Sequence, residues 1–419
     1  MPGGIRAKGV EDNMALSNAA NSLFTLLVLA LLPLRTFAWE PWRFIVTADC
    51  RSDSASDNNG VNVKILTEIA REIIDANAEF VLFAGDLVIG VSNQSDLESQ
   101  FTTWRNTAQP LYEAGIGVYI VRGNHDEGSY PSGIDAWNNV FKFVPSPRGG
   151  GIDFGLPQNG PPGELNLTYS VTHKNVLALG LDQCRTPNHS KNYVHQAWID
   201  EQLAANTQPH VFAFGHFTCF KMIWDSVGDH ATDRNLFWQS LKNAGSRAYF
   251  CGHEHFYNHS RADDDANPNN DLHQVVVGSA GASVHTWNGT FPGNNSGRNI
   301  VNIYHTTLFG YIIVDINDLD VTLTWMERQT NDPDVPGIYQ PRDLWSYTVA
   351  CGDLGHPYPA GDLDKDCRVG ADDLARLASQ WRQVPSDPNA DLAPEPRDNF
   401  IDLRDLAVLL SNWLESTAP

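Results

Sequence analysis

Carboxylate, carboxamide and imidazole side chains recur at the ends of short apolar runs. Asp49 follows Phe44-Ile45-Val46, Asp86 follows Phe80-Val81-Leu82-Phe83, and Asn124-His125-Asp126 follows Val118-Tyr119-Ile120-Val121. His216 follows the run from Val211 to Phe214, and His253 with His255 follows Ala248-Tyr249-Phe250. These donors together suit borderline-hard transition metals such as Zn, Fe or Mn, and no cysteine cluster points to a structural zinc knuckle. A carboxylate shared by two cations holds them ~3.5–4 Å apart, an arrangement suited to displacement at phosphorus. Such a pair also lowers the pKa of a water lying between the cations.

Residues as distant as 49 and 255 meet only if the fold gathers strand ends. The apolar runs alternate with helical patterns: Val61, Ile65, Ile69 and Ile73 recur at helical spacing, and Ser95 with Glu98 reads as a capping box for a helix through Trp104 and Leu111. Further helices are expected over 196–205 and 236–244. Strands alternating with helices predict βαβ units and a parallel or mixed sheet, whose loops converge on one crevice at the strands' carboxyl ends. Residues 146–166, rich in Gly and Pro, read as a surface loop. Later antiparallel strands are expected at Val275–Val277, and at Tyr311–Val314 paired with Val321–Trp325.

Asp49, GD at 85–86, GNHD at 123–126, GH at 215–216 and GHEH at 252–255 stand in the order found in calcineurin-like metallophosphoesterases. Over residues 42–350 the chain resembles that family. The resemblance implies an α/β fold of the α+β kind, an αββα sandwich with mixed sheets, and a hydrolase acting on phosphoester substrates. It implies Asp86 as a bridging carboxylate, Asp49 and His255 completing one metal site, and Asn124, His216 and His253 completing the other. Two divalent or transition ions (Zn, Fe or Mn) go with that set. His125 would donate to a phosphoryl or leaving oxygen, held in orientation by Asp126.

One position departs from the family pattern. The usual Asp-x-His is here Asp49-Cys50-Arg51, and a guanidinium cannot ligate a cation but can hold a phosphate oxygen bidentately. Arg51 is therefore expected to bind substrate beside a first metal that has one ligand fewer. Purple acid phosphatases are a less good match, because Ile89 stands where their Tyr is expected after GD. The missing His also permits a second reading, a catalytically decayed fold acting as a binding or scaffold protein. Cys50, Cys219 and Cys251 read as buried thiols or a local disulfide, and His173 and His195 as surface or hydrogen-bonded residues rather than ligands.

A composition break follows at Cys351, beyond which 13 acidic residues stand against 6 basic ones. Val369, Leu374, Leu377 and Trp381 recur 32 positions later as Ile401, Leu406, Leu409 and Trp413, the mark of a duplicated unit. In the first copy Asp362, Asp364, Asp366 and Asp373 occupy positions 1, 3, 5 and 12 of DLDKDCRVGADD, a spacing that folds oxygen ligands around Ca²⁺. In the second, Asp405 matches Asp373, but Pro394 and Pro396 displace the early ligands and leave Asp391 or Asp398 to serve in a longer loop. Paired loop–helix units of this kind are similar to dockerin modules. That resemblance implies a calcium-binding module over 362–416, a linker over 351–361 and docking to a cohesin-like protein partner. A Cys351–Cys367 bridge would close a loop of ~15 residues, worth ~3 kcal/mol in the chain-entropy picture.

The 419 residues carry 28 Lys and Arg against 50 Asp and Glu, a net charge of −22 that excludes nucleic-acid coating through a basic face. At 42% hydrophobic residues the chain can bury a substantial core. The apolar run Leu23–Leu34 follows Arg6 and Lys8 and precedes Thr36-Phe37-Ala38, so residues 1–38 read as a signal peptide and the protein as secreted or extracytoplasmic. No other apolar run reaches ~18 residues, and no transmembrane segment is expected in the mature chain.

Overall fold

The computed structural model describes residues 40–141, 156–265, 267–349, 359–364, 369–386, 389–393 and 397–413. The expected signal peptide, Cys351, Asp366 and Cys367 lie outside the described residues, as does most of the expected linker. The chain divides into two compact units, one within residues 39–357 and the other within 358–417.

The strands of the first unit are, in chain order, β1 (Trp42–Thr47), β2 (Phe80–Phe83), β3 (Gly117–Ile120), β4 (Tyr169–His173), β5 (Val176–Gly180), β6 (His210–Phe214), β7 (Ala248–Cys251), β8 (Tyr257–Asp263), β9 (Leu272–Val277), β10 (Asn299–Thr306), β11 (Gly310–Asn317), β12 (Asp320–Arg328) and β13 (Tyr339–Thr348). They form two mixed sheets, ordered β13-β12-β11-β1-β2-β3 and β10-β8-β9-β7-β6-β5-β4. In the first sheet β1, β2 and β3 are parallel, and β11 joins β1 antiparallel. In the second, β5, β6, β7 and β9 are parallel. The parallel strands are the continuous apolar runs of the sequence because both of their faces are covered; every residue of β2 and β6 is buried.

The sheets face each other across an aromatic layer. Phe44 stacks on Phe80 at 4.7 Å and meets Phe212 of the opposite sheet edge-on at 5.3 Å, while Tyr257 stacks on Trp325 at 4.0 Å. Helix Val63–Asp75 buries Ile65, Ile69 and Ile73 in the same core, as its spacing predicts. Trp198 and Ile199 of helix Gln196–Ala204 pack with Phe237, Trp238 and Leu241 of helix Ala231–Asn243 in a second cluster against β5, β6 and β7. This is the expected mixed α/β sandwich.

The capping box expected at Ser95 and Glu98 is not formed. Asn93 caps helix Gln94–Thr107 through its side chain, which accepts from Asp96 N, so Ser95 lies inside the first turn. A separate short helix, Gln109–Glu113, begins with Pro110 in its first turn. His173 faces Glu79, and His195 caps the helix that follows it, as expected of non-ligand histidines. The described cysteines Cys50, Cys184, Cys219 and Cys251 are buried and free.

In the second unit, helices Ala371–Ser379 and Leu403–Ser411 bring Val369, Leu374 and Leu377 against Ile401, Leu406 and Leu409, with Trp381 and Trp413 packed on them. The 32-residue repeat is thus one small core built from two equivalent halves.

Candidate metal centre

Asp49, Asp86 and His253 follow the ends of β1, β2 and β7 with φ of 60°, 52° and 70°, a left-handed backbone uncommon for residues other than glycine. The bend turns each side chain back across the strand ends. Glycines allow the loops to approach: a Cβ on Gly123 would stand 2.1 Å from Asp86 Oδ1, and one on Gly252 would stand 2.2 Å from Asp49 Oδ2. The glycines of GNHD and GHEH are therefore required by contact.

All six candidate ligands meet in this place. Asp49, Asp86 and His216 each bring a ligand atom within 4.8 Å of the others. His216 Nδ1 donates to the Ala84 carbonyl at 2.9 Å, leaving Nε2 directed inward, 3.3 Å from Asp86 Oδ1 and 3.0 Å from Asn124 Oδ1. His255 repeats the device. Its Nδ1 donates to the Ser283 carbonyl at 2.7 Å, and Nε2 lies 3.4 Å from Asp49 Oδ1. His253 places Nδ1 at 2.8 Å from Asn124 Oδ1. A carbonyl on one ring nitrogen fixes the tautomer and leaves the other nitrogen's lone pair for a cation.

Two buried oxygens mark where positive charge belongs. Asp49 Oδ1 and Asp86 Oδ2 have no hydrogen-bond partner, and their residues are 0% and 1% exposed. Leaving a carboxylate oxygen buried and unpaired is costly unless a cation meets it. Burial pushes the Asp86 carboxyl up, but the charges of His216, His125 and Arg51 outweigh it and hold the group at about 2. Burial pushes the His216 imidazole down, opposed by the charges of Asp86 and Asp49. The residues present fit divalent cations.

Arg51 does reach the site. Its Nε lies 3.6 Å from Asp86 Oδ2 and has no hydrogen-bond partner, and its Nη2 lies 3.4 Å from His255 Nε2. His125 sits at the rim with Nε2 4.0 Å from Asp86 Oδ2.

The expected link from Asp126 to His125 is not present. His125 Nδ1 lies 2.6 Å from the Ile89 carbonyl, which orients the ring. Asp126 instead accepts from the backbone amides of Gly123, Leu87 and Val88 at 2.8, 3.0 and 3.2 Å. It ties the GNHD loop to the GD loop, because three convergent N–H groups solvate a buried carboxylate better than one imidazole does.

A cavity of about 260 Å³ opens over these groups, and its wall includes three residues not foreseen from the sequence, Trp224, Asp225 and His285. Asp225 Oδ1 lies 3.2 Å from His253 Nε2, the side of the ring away from Asn124. His285 stacks on His255 at 3.9 Å. Their local signal is slight: Trp224 and Asp225 follow the strand-end His216 within ten residues, at the end of an apolar stretch.

In the second unit Asp362, Asp364 and Asp373 bring ligand atoms within 4.8 Å of one another. Asp373 Oδ1 accepts from Leu363 N and Asp364 N, and Oδ2 accepts from Gly370 N. Asp405 copies this pattern with Leu392 N, Ala393 N and Asp402 N. The matching amides align Asp391 with Asp362, so the second loop begins at Asp391 and is longer than the first. Asp391 is buried, with Oδ1 unpartnered. Asp398 is exposed, accepts from Phe400 N and lies 3.2 Å from Arg404 Nη1, while Asp391 takes the place equivalent to Asp362.

Purple acid phosphatase PPD1 from yellow lupin (Lupinus luteus) seeds is similar over 76% of this chain and 55% of its own, at 16% identity and a TM-score of 0.52. The chain therefore spans 55% of that phosphatase's length. PhoD is similar over 76% of this chain and 71% of its own, at 11% identity and a TM-score of 0.51. Both are likenesses of fold. No curated protein matches. The calcineurin-like phosphoesterase profile matches residues 43–257, about half of the chain and nearly all of the site. On that match the chain belongs to the calcineurin-like phosphoesterase family.

Proposed function

We propose that this protein is a secreted phosphoesterase dependent on two divalent cations and carries a calcium-ordered, dockerin-like second unit. The observation that carries the site assignment is the pair of buried, unpartnered oxygens, Asp49 Oδ1 and Asp86 Oδ2, among inward-facing histidine nitrogens. Asp49, Asp86 and His255 would hold one cation, and Asp86, Asn124, His216 and His253 the other. Bound there, Zn, Fe or Mn would supply charge to offset the phosphoryl oxygens and would acidify a water for in-line attack.

The chain's own groups take the remaining roles. With Nδ1 tied to the Ile89 carbonyl, His125 directs Nε2 to the cavity and, when protonated there, gives that proton to the leaving oxygen. The unpartnered Nε–H of Arg51 and its planar fork hold a phosphoryl oxygen. Asp126 keeps the two motif loops together.

In the second unit Asp362, Asp364 and Asp373, with Asp366 from its sequence position, would bind Ca²⁺, and Asp391 with Asp405 would serve the longer loop. The helices so ordered would dock a cohesin-like partner. Secretion rests on residues 1–38. The alternative of a decayed binding or scaffold protein rests on Arg51 standing in place of a ligand His.

The test is transition-metal content together with hydrolysis of an aryl phosphomonoester and the matching diester, on wild type and Asp86→Asn. The proposal expects two transition ions per chain, and hydrolysis that Asp86→Asn abolishes. Less than one ion per chain with no hydrolysis would favour the scaffold.

A further inference from the structure

We propose that Trp224 is a substrate-binding residue whose indole face receives a flat aromatic ring on the phosphoester, so that the preferred substrates are esters of aromatic or heteroaromatic groups. The inference rests on the phosphoester reading of the site and adds the nature of the group attached to phosphorus. Trp224 is 48% exposed, although a large aromatic side chain is ordinarily drawn into the core. It lines the same cavity as Arg51, Asp86 and His125.

Its placement is built from the metal-ligand motif itself. Glu254, buried between His253 and His255, accepts through Oε1 from Ile223 N at 2.8 Å and Trp224 N at 3.1 Å, fixing the backbone that carries the indole. The ring is fixed separately: Trp224 Nε1 donates to His285 Nδ1 at 3.1 Å. The same nitrogen accepts from His255 N at 3.2 Å, and the His285 ring lies parallel to the His255 ring. An exposed indole held at backbone and ring has little rotamer freedom left to lose when a ligand stacks on it.

Indole offers a wide apolar face and no charge. It would add nothing to a small alkyl phosphate held at the phosphoryl end by cations and Arg51, but it gains from covering an aromatic ring in offset or edge contact. A cavity of about 260 Å³ has room for a phosphoryl group and one ring, with anything larger extending past the rim.

The test measures binding apart from turnover. Phenylphosphonate and methylphosphonate, which are not hydrolysed, are titrated calorimetrically into the metal-reconstituted full chain as wild type, Trp224→Ala and Trp224→Phe. Wild type is expected to bind the phenyl compound about five- to tenfold more tightly. That preference should collapse in Trp224→Ala and largely return in Trp224→Phe, which keeps a ring but lacks the N–H to His285. A wild type with no preference, or a Trp224→Ala variant that keeps it, overturns the proposal while leaving the phosphoesterase reading intact. Failure of both phosphonates to bind, alongside absent hydrolysis, removes the phosphoester reading and the Trp224 assignment with it.

Discussion

Replacing Gly123 by Ala tests whether the site depends on contact between its two central loops. The new Cβ would stand 2.1 Å from Asp86 Oδ1, 2.5 Å from Asp86 N and 2.8 Å from His216 Cε1. Comfortable separations are ~3.5 Å, so the carboxylate would have to retreat by more than about 1 Å. Rotating the Asp86 side chain does not solve this, because the backbone nitrogen is also too close. The loops must part, and Asp86 Oδ1 then loses its 3.0 Å bond from His125 N and its 3.3 Å approach to His216 Nε2. Overpacking of this kind costs ~1–3 kcal/mol of stability. A displacement of ~1 Å at a reacting centre costs ~10²-fold in rate.

The assay is kcat/KM on an aryl phosphate, with metal content and a thermal melt on the same preparation. We expect a loss of about a hundredfold, reduced metal content and a melting point only a few degrees lower. Gly289→Ala is the control. It meets no atom within 4 Å but has φ of 84°, so it should cost backbone strain of ~1 kcal/mol and leave catalysis alone. A Gly123→Ala enzyme with full metal content and kcat/KM within about threefold of wild type would refute the reasoning.

Three further expectations follow from other contacts. Arg51→Ala should raise KM for the phosphoester by about 10- to 100-fold through loss of a charged hydrogen-bond donor while metal content is retained; lost metal at unchanged KM would show that Arg51 supports the cations instead. Glu164, whose carboxylate accepts from Thr168, Thr186 and Asn188, is pushed up by burial but held at about 2 chiefly by His189 beside it, with Thr168 and Asn188 adding to the effect. Because its folded pKa lies below the ordinary 4.5, its contribution is complete above that value and disappears as pH falls toward 2. Glu164→Gln should therefore cost on the order of 2 kcal/mol near pH 6, and its urea-unfolding deficit should shrink below pH 4.5; a constant deficit down to pH 3 would count against the pairing. Asp373→Ala removes the acceptor of three loop amides, and calorimetry of the full chain should then lose a Ca²⁺-dependent stabilisation of ~2.7 kcal/mol at a hundredfold excess over Kd. An undiminished calcium shift in that variant would refute the assigned loop.

Legibility followed burial. Strands such as β2 and β6 are covered on both faces, and their unbroken apolar runs could be read directly. β13 alternates between half-buried and exposed residues, and β10 mixes half-buried with exposed residues and has none fully buried. Neither has an apolar run to announce it, since edge strands meet the core on at most one face. The duplicated tail was legible because each half must present the same apolar positions to the other.

The same division holds in the site. Residue chemistry and strand-end position alone were enough to name the eight motif residues, because donor type is a property of the side chain and strand ends converge in any such sheet; Arg51 stood out only against the family's usual Asp-x-His. Tertiary structure decided what those groups touch. It gave His125 to the Ile89 carbonyl rather than to Asp126, aligned Asp391 with Asp362 of the first acidic loop, and brought Trp224, Asp225 and His285 to the cavity. Hydrogen-bond partners depend on sub-ångström placement of loops that are far apart in the chain, and no local spacing encodes that distance.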